Sequence, residues 1–397
     1  CNDYQLQKTI HLSKVSVNTM KKAIYSFSGD PITFGHIDII KRAASTFDEV
    51  IVGIGSNPDK QYMFTLEERT EMAERSLHGI RNVTVKAFTG LLVDFAYEQD
   101  VHVIVKGVRN AEDFAYENML HQLGASQKLG IDTYILFAKP ELAHISSSGV
   151  KALQKENGFI QEHVPLYVKQ AIEAKMARQY IIGVTGEIGT GKSFLSKCFL
   201  ELGEKQKIAT HHIDLDDIGH RILEDLTEPQ YVKIRKQIIG TFGNEIADSN
   251  GMINRKKLGQ VVFNDAVALI KLNALLKKPI LVRLKRELYG KSGLIILNSA
   301  LLIETGTVNV CNNNVILLEC SKETQEKRLL ERGLTKAQIK RRLESQYSFL
   351  EKKKIIEIAI NNDNHGRLWI VKNDGKLSEK SLMSTFKAVI EELKLKT

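Results

Sequence analysis

"GVTGEIGTGKSF", residues 183–194, follows an apolar run from Ile181 to Val184 and leads into a helical pattern, Phe194 to Leu202. Its centre, Gly186-Glu187-Ile188-Gly189-Thr190-Gly191-Lys192-Ser193, fits G-x-x-x-x-G-K-[ST]. Glycines let successive backbone N–H groups turn toward phosphate oxygens, and a helix start adds partial positive charge. In that context Lys192 reaches β/γ-phosphates and the Ser193 hydroxyl serves Mg²⁺. A chance glycine-rich turn would lack the strand before and the helix after. The stretch is expected to bind a nucleotide.

Downstream, "HIDLDDIGHRIL" (212–223) puts Asp214 and Asp216 at the end of a strand, two residues apart and on the same side if extended. A carboxylate there could take a proton from an attacking hydroxyl or hold a metal's water. An acidic helix N-terminus built on Asp216 and Asp217 is the competing reading.

The loop sits near the middle of 397 residues, a length that implies about two domains. Strand-like runs at 23–27, 50–54, 83–88, 101–107 and 133–138 alternate with amphipathic stretches at 35–47, 65–78 and 111–129. The second half repeats the style, with strands expected at 180–185, 208–213, 293–297, 314–320 and 367–371. Such alternation predicts parallel sheets covered on both faces, so the expected class is α/β with two doubly wound parallel-sheet domains. The stretch 164–178 reads as a helix with Pro165 in its first turn, running almost directly into the strand at 180. The boundary is therefore placed near Arg178: an N-terminal extension at 1–20, one domain at 21–178 and a second at 179–397. Leu382, Phe386, Val389, Ile390 and Leu393 predict a closing helix docked on the second core.

No apolar run reaches the ~20 residues of a membrane span, and residues 1–20 lack a secretory signal's apolar stretch. The four cysteines form no metal-binding spacing, which suggests reduced thiols and a cytoplasmic protein. The net charge is +9, but Lys and Arg are spread out, with modest clusters at Lys352-Lys353-Lys354 and Arg341-Arg342. Aromatic residues are not interleaved with them, so phosphorylated metabolites fit better than nucleic acid. Neither nucleic-acid nor membrane binding is expected. A homo-oligomer is compatible with the sequence.

In the first half, "YSFSGDPITFGHIDII" (25–40) ends a strand in a polar loop and opens a helix at Gly35-His36. A histidine there tends to stay neutral, because the helix's positive end disfavours imidazolium. Taken alone, a helix start with a buried histidine explains the pair as well. Further phosphate-friendly groups follow: Lys60 in a loop before a helix near Thr65, Lys106 and Arg109 at a strand end, Glu117 on the next helix, and Ser146, Ser147 and Ser148 at another helix start. These fall at the C-terminal ends of predicted strands, where open parallel sheets bind ligands.

The phosphate loop, "IDLD" (213–216), "ALLIE" (300–304) and "ETQEKRLLERGLTKAQIKRRLESQ" (323–346) together resemble the dephospho-coenzyme A kinases, P-loop kinases with a small helical lid. The resemblance covers about 180 to 375. It implies transfer of the ATP γ-phosphate to the ribose 3′-hydroxyl of dephospho-coenzyme A, giving coenzyme A. It makes Asp216 the general base, sets Asp214 beside metal and substrate, and brings Arg328, Arg332 and Arg342 over the phosphates, with Phe194 following the loop. Lys278-Pro279, Asn298 and Phe194 depart from the family pattern. Loss of a carboxylate at Asn298 is expected to weaken acceptor binding, yet Lys192, Ser193 and Asp216 remain, so activity is expected.

Residues 21 to 172, with Thr33-Phe34-Gly35-His36 as signature, resemble the bacterial-type phosphopantetheine adenylyltransferases. That resemblance implies the reaction of 4′-phosphopantetheine with ATP to dephospho-coenzyme A and pyrophosphate. His36 and Lys60 would neutralise phosphate charge, without a protein nucleophile. Ser28, Lys60, Leu92 and Lys106 would hold the acceptor; Ser28, Gly35, His36, Arg109, Glu117 and Ser146 to Ser148 would hold ATP. The departures are the stretch Ser26-Phe27-Ser28-Gly29-Asp30-Pro31, with its glycine moved from before the hydroxyl residue to after it, and Lys106, which keeps charge but loses an arginine's fork. One half's product is thus the other's acceptor. The rivals are a nicotinamide-mononucleotide adenylyltransferase fused to another small-molecule kinase, and a binding protein that has lost turnover.

Overall fold

The computed structural model describes residues 20–57, 60–375 and 378–395. The expected extension at 1–20 lies outside them except for Met20. The first half runs β1 (Lys22–Phe27), α1 (Phe34–Ala44), β2 (Glu49–Gly55), α2 (Leu66–Leu77), β3 (Val83–Phe88), α3 (Leu92–Glu98), β4 (Val103–Val108), α4 (Ala111–Ala125), β5 (Asp132–Phe137), α5 (Ser147–Lys155) and α6 (Leu166–Ala177). Its five strands are all parallel, in the order β3-β2-β1-β4-β5. The sequence direction therefore reverses between β1 and β4, the place where such sheets open a ligand crevice. Ile24, Ile51 and Ile104 bury one face of this sheet against Phe95 and Ala96 of α3, a helix absent from the sequence-based assignment.

The second half runs β6 (Gln179–Thr185), α7 (Lys192–Lys205), β7 (Thr210–Asp214), α8 (Leu215–Glu224), α9 (Pro229–Phe242), α10 (Arg255–Val262), α11 (Ala266–Leu288), β8 (Gly293–Asn298), β9 (Asn314–Glu319), α12 (Lys322–Glu331), α13 (Lys336–Glu344), α14 (Phe349–Asp363), β10 (Arg367–Lys372) and α15 (Glu379–Glu392). Again the sheet is parallel, ordered β10-β9-β6-β8-β7. Alternate residues feed two cores, as the two-residue period of a strand requires. Ile182, Val184, Leu294, Ile296, Ile316 and Leu318 pack with α7 and α15, while Ile181, Ile295, Leu297, Val315 and Leu317 pack with α8 and α11.

Compact units divide the chain elsewhere than at Arg178. Among the described residues, one gathers those of 20–29, 36–61 and 66–143; the other gathers those of 30–35, 62–65 and 144–395. Buried polar groups hold α6 within the second of these. Lys169 of α6, 1% exposed, lies 2.7 Å from Glu173 Oε1 and donates to Asn312 Oδ1 at 2.8 Å and Val310 O at 3.1 Å. Asn312 Nδ2 donates in turn to Glu173 Oε2 at 2.7 Å. So α6, read as the end of the first domain, packs on the corner before β9. Pro165 is the N-cap of this helix and not part of its first turn.

Candidate active sites

In the first unit, Ser28 follows β1 and is half-buried. Its carbonyl accepts from Arg69, which also donates to Gly55 O and Ser56 Oγ, each at 2.7 Å. One buried guanidinium thereby ties together the loops after β1 and β2. Sequence reasoning passed over it, although its place among the buried positions of α2 gave a signal. His36 lies in the first turn of α1, its ring stacked on Phe27 with centroids 4.4 Å apart. Burial lowers its pKa from 6.5 to about 4, and the Arg109 charge adds to this. The imidazole is neutral as expected, but desolvation is the first cause rather than the helix end.

Arg109 is held by Asp113: Nε donates to Oδ2 at 2.7 Å and Nη2 to Oδ1 at 2.9 Å. Lys106 Nζ sits 3.1 Å from Glu117 Oε2. Both line a cavity of about 380 Å³, otherwise walled chiefly by apolar residues including Leu92, Ile104 and Leu120. Lys60 is exposed on the loop after β2.

Gly35 and the three serines belong to the other unit. Ser146 caps α5 by accepting from Gly149 N at 3.0 Å, Ser147 Oγ donates to Pro31 O at 2.8 Å, and Ser148 is exposed. Asp30, after the displaced glycine, accepts from Lys151 Nζ at 2.7 Å and from the Phe64 amide at 2.9 Å. It staples this turn, a role invisible in the sequence because its partners lie 121 and 34 residues away.

The phosphate loop joins β6 to α7, as expected. Gly186 and Gly191 have φ of +149° and +98°. A Cβ on Gly191 would stand 2.1 Å from Asn373 Nδ2. Lys192 Nζ donates to the carbonyls of Gly186 and Glu187 at 3.1 Å each, and burial lowers its pKa to about 8. Ser193 and Phe194 are exposed at the helix start, Ser193 facing the cavity described below. The Ile188 amide donates to Gln346 Oε1 at 2.9 Å, and Gln325 Nε2 donates to the Ile188 carbonyl at 2.7 Å. Arg328 Nη1 reaches Gly189 O at 3.3 Å. Arg332 is exposed, and Arg342 lies over the Phe263 ring at 5.6 Å.

Asp214 and Asp216 are not on one extended strand. Asp214 is the N-cap of α8, accepting from the amides of Asp216 and Asp217 at 2.9 and 3.1 Å, so the capping reading is met, by Asp214. Asp216 lies in the first turn, where Ser299 Oγ and Ala300 N donate to its two oxygens, both at 3.0 Å. Asn298, a departure expected to cost a substrate contact, donates instead to Asp214 at 2.9 Å. Lys192, Ser193, Asp214, Asp216, Arg332 and Arg342 line one cavity of about 1200 Å³.

Residues 28–153 match the family model described as cytidylyltransferase-like, and 180–367 the one described as dephospho-CoA kinase. A phosphopantetheine adenylyltransferase of Clostridium kluyveri is 44% identical over 161 residues, which are 41% of this chain and 98% of that protein. The chain belongs to the phosphopantetheine adenylyltransferase family. A second such adenylyltransferase, from Symbiobacterium thermophilum, is 43% identical over 159 residues, 40% of this chain and 98% of its own length. A solved dephospho-CoA kinase from Campylobacter jejuni covers 54% of the chain and 97% of its own, at 23% identity and a TM-score of 0.33. By the family-model match at 180–367, the adenylyltransferase half is joined to a dephospho-CoA kinase domain. The chain is a bifunctional transferase of the last two steps of coenzyme A synthesis.

Proposed function

We propose that residues 21–178 carry the first step and residues 179–397 the second. In the first, a phosphate oxygen of 4′-phosphopantetheine attacks the ATP α-phosphorus, and the α–β bond breaks to release pyrophosphate. His36, neutral, donates a hydrogen bond to a phosphate oxygen, and Lys60 supplies charge; positioning and electrostatics then carry the reaction. Ser28 and Lys106 take the acceptor's phosphate, and the apolar cavity beside Leu92 takes its arm. Arg109 and Glu117 of the first unit hold ATP.

In the second step the 3′-hydroxyl of dephospho-CoA attacks the γ-phosphorus, its proton passes to Asp216, and ADP leaves. Both Asp216 oxygens already accept one hydrogen bond, yet each keeps a lone pair for the incoming proton. Residues Gly186 to Phe194 cradle the phosphates with Lys192, while Arg328, Arg332 and Arg342 offset their charge. Asp214 borders the acceptor. The single observation that carries this reading is one cavity shared by the phosphate loop and Asp216.

Mg²⁺ fits this site as an ion shared with ATP. Among the described residues no group of three or more His, Cys, Asp or Glu could hold a metal alone, whereas Ser193 offers one hard oxygen beside the phosphates. When bound, it would neutralise charge on the β- and γ-oxygens.

A homo-oligomer is supported by α4, which buries no residue and exposes Phe114, Tyr116, Met119 and Leu123. A cytoplasmic setting is supported by free Cys198, Cys311 and Cys320, and no helix among the described residues is long and apolar enough to cross a membrane. Sedimentation of the purified chain tests the first point.

Incubation with Mg-ATP and 4′-phosphopantetheine is expected to yield pyrophosphate, ADP and coenzyme A. Dephospho-CoA accumulating alone would mean a silent kinase half. Neither product would favour a binding protein. Lys192→Ala should stop only the kinase step, and His36→Ala only the adenylyl transfer.

A further inference from the structure

Lys352 opens no surface to water, although it lies in a run of three lysines on α14. Its amine donates to Ala300 O at 2.8 Å and to Glu304 Oε1 at 2.6 Å. A buried ammonium is costly to keep, so its partners are informative. Ala300 is the residue whose amide holds Asp216, and Ser299 before it holds the other Asp216 oxygen. Lys352 therefore grips the carbonyl side of a turn whose amide side grips the catalytic carboxylate.

The same Glu304 oxygen accepts from the Tyr347 amide at 2.9 Å. Its neighbour Gln346 accepts from the Ile188 amide in the phosphate loop. The segment leaving α13 is thus fastened to both Glu304 and the nucleotide cradle. Burial lowers the Lys352 pKa, and Glu304 opposes that shift by favouring the charged amine.

We propose that Lys352 and Glu304 are a positioning pair for phosphoryl transfer. They tie the turn at 299–304 and the segment at 345–348 to one buried ion pair, and so hold Asp216 in register with the phosphate loop. Neither touches substrate. This inference rests on the kinase reading above and adds residues to it.

The test uses the full chain. Lys352→Met with Glu304→Leu replaces the pair by apolar groups of similar volume, an exchange that buried ion pairs often tolerate without loss of stability. Kinase kcat is expected to fall about 10- to 100-fold, since misplacement by about 1 Å can cost that much. KM for ATP should stay within about threefold and adenylyl transfer should be unchanged, because the loop and the other half are left in place. A merely structural pair would lower thermal stability and leave kcat of the folded enzyme alone. Should the double variant not fold, Glu304→Gln keeps the shape and one acceptor oxygen but removes the charge; it is expected to lower kcat by about threefold or more with KM for ATP held. A kcat within about twofold of the parent, in whichever variant folds, overturns the proposal. Absence of kinase turnover in the parent itself would instead sink the kinase reading.

Discussion

Asn298 Nδ2 donates to Asp214 Oδ2 at 2.9 Å across the β7–β8 ladder, where the two residues are in register. The amide orientation follows from this contact, because a flipped Asn298 would set two acceptors against each other. Burial, and then Asp216, raise the Asp214 carboxyl above its ordinary pKa.

Asn298→Asp should therefore force two carboxylates to share a proton. A raised carboxyl pKa means that the folded state binds the proton more tightly than the unfolded chain. The variant's stability is then kept at acid pH and lost as pH rises through the folded value. Thermal midpoints of variant and parent, compared at neutral and mildly acidic pH, should show a deficit that shrinks on acidification. A deficit independent of pH would contradict the contact.

His36 carries the opposite sign. Its folded pKa of about 4 lies below the ordinary 6.5, so the unfolded chain binds the proton more readily. Stability is complete above 6.5 and declines as pH falls toward 4. His36→Gln removes this titration. Across that window the parent should lose stability relative to the variant, and parallel pH profiles would refute the assignment.

Gly191→Ala should damage the kinase half alone. The residue has φ +98°, and the added Cβ meets Asn373, whose side chain donates to Thr190 O and accepts from Arg328. A left-handed non-glycine residue costs about 1–3 kcal/mol before the clash is counted. Kinase kcat/KM should fall at least about tenfold, with pyrophosphate release from the first step intact. Retained kinase turnover would show that the loop relaxes freely.

Lys169→Ala leaves Glu173 buried without its cation. Breaking a buried pair from one side costs about 3–5 kcal/mol. Because α6 packs on the corner before β9, the loss should appear in the heat-inactivation curve of the kinase activity. An unchanged kinase curve would mean that α6 serves the first half only.

Much of the site was legible before any fold was known. Gly186 to Ser193, His36 and the paired aspartates carry local signatures, since a phosphate cradle needs its glycines, lysine and hydroxyl at fixed spacing on one turn. The ten strands among the described residues were expected within about two residues, because a strand of a parallel sheet covered on both faces is a short apolar run. Lys352 is not legible as a buried residue, because it stands in a run with Lys353 and Lys354, although Phe349 and Ile356 at helical spacing mark the same inward face.

From the sequence alone came the two nucleotide loops, the strand–helix alternation and the order of the two chemistries, all of which depend on residues close together along the chain. Only the tertiary structure decided that Asn298 braces Asp214, that Lys352 braces Asp216 through Ala300, and that α6 joins the second unit. Those partners lie 84, 52 and about 140 residues apart. Which charge a buried group meets depends on how whole sheets and helices pack, and no local periodicity records that.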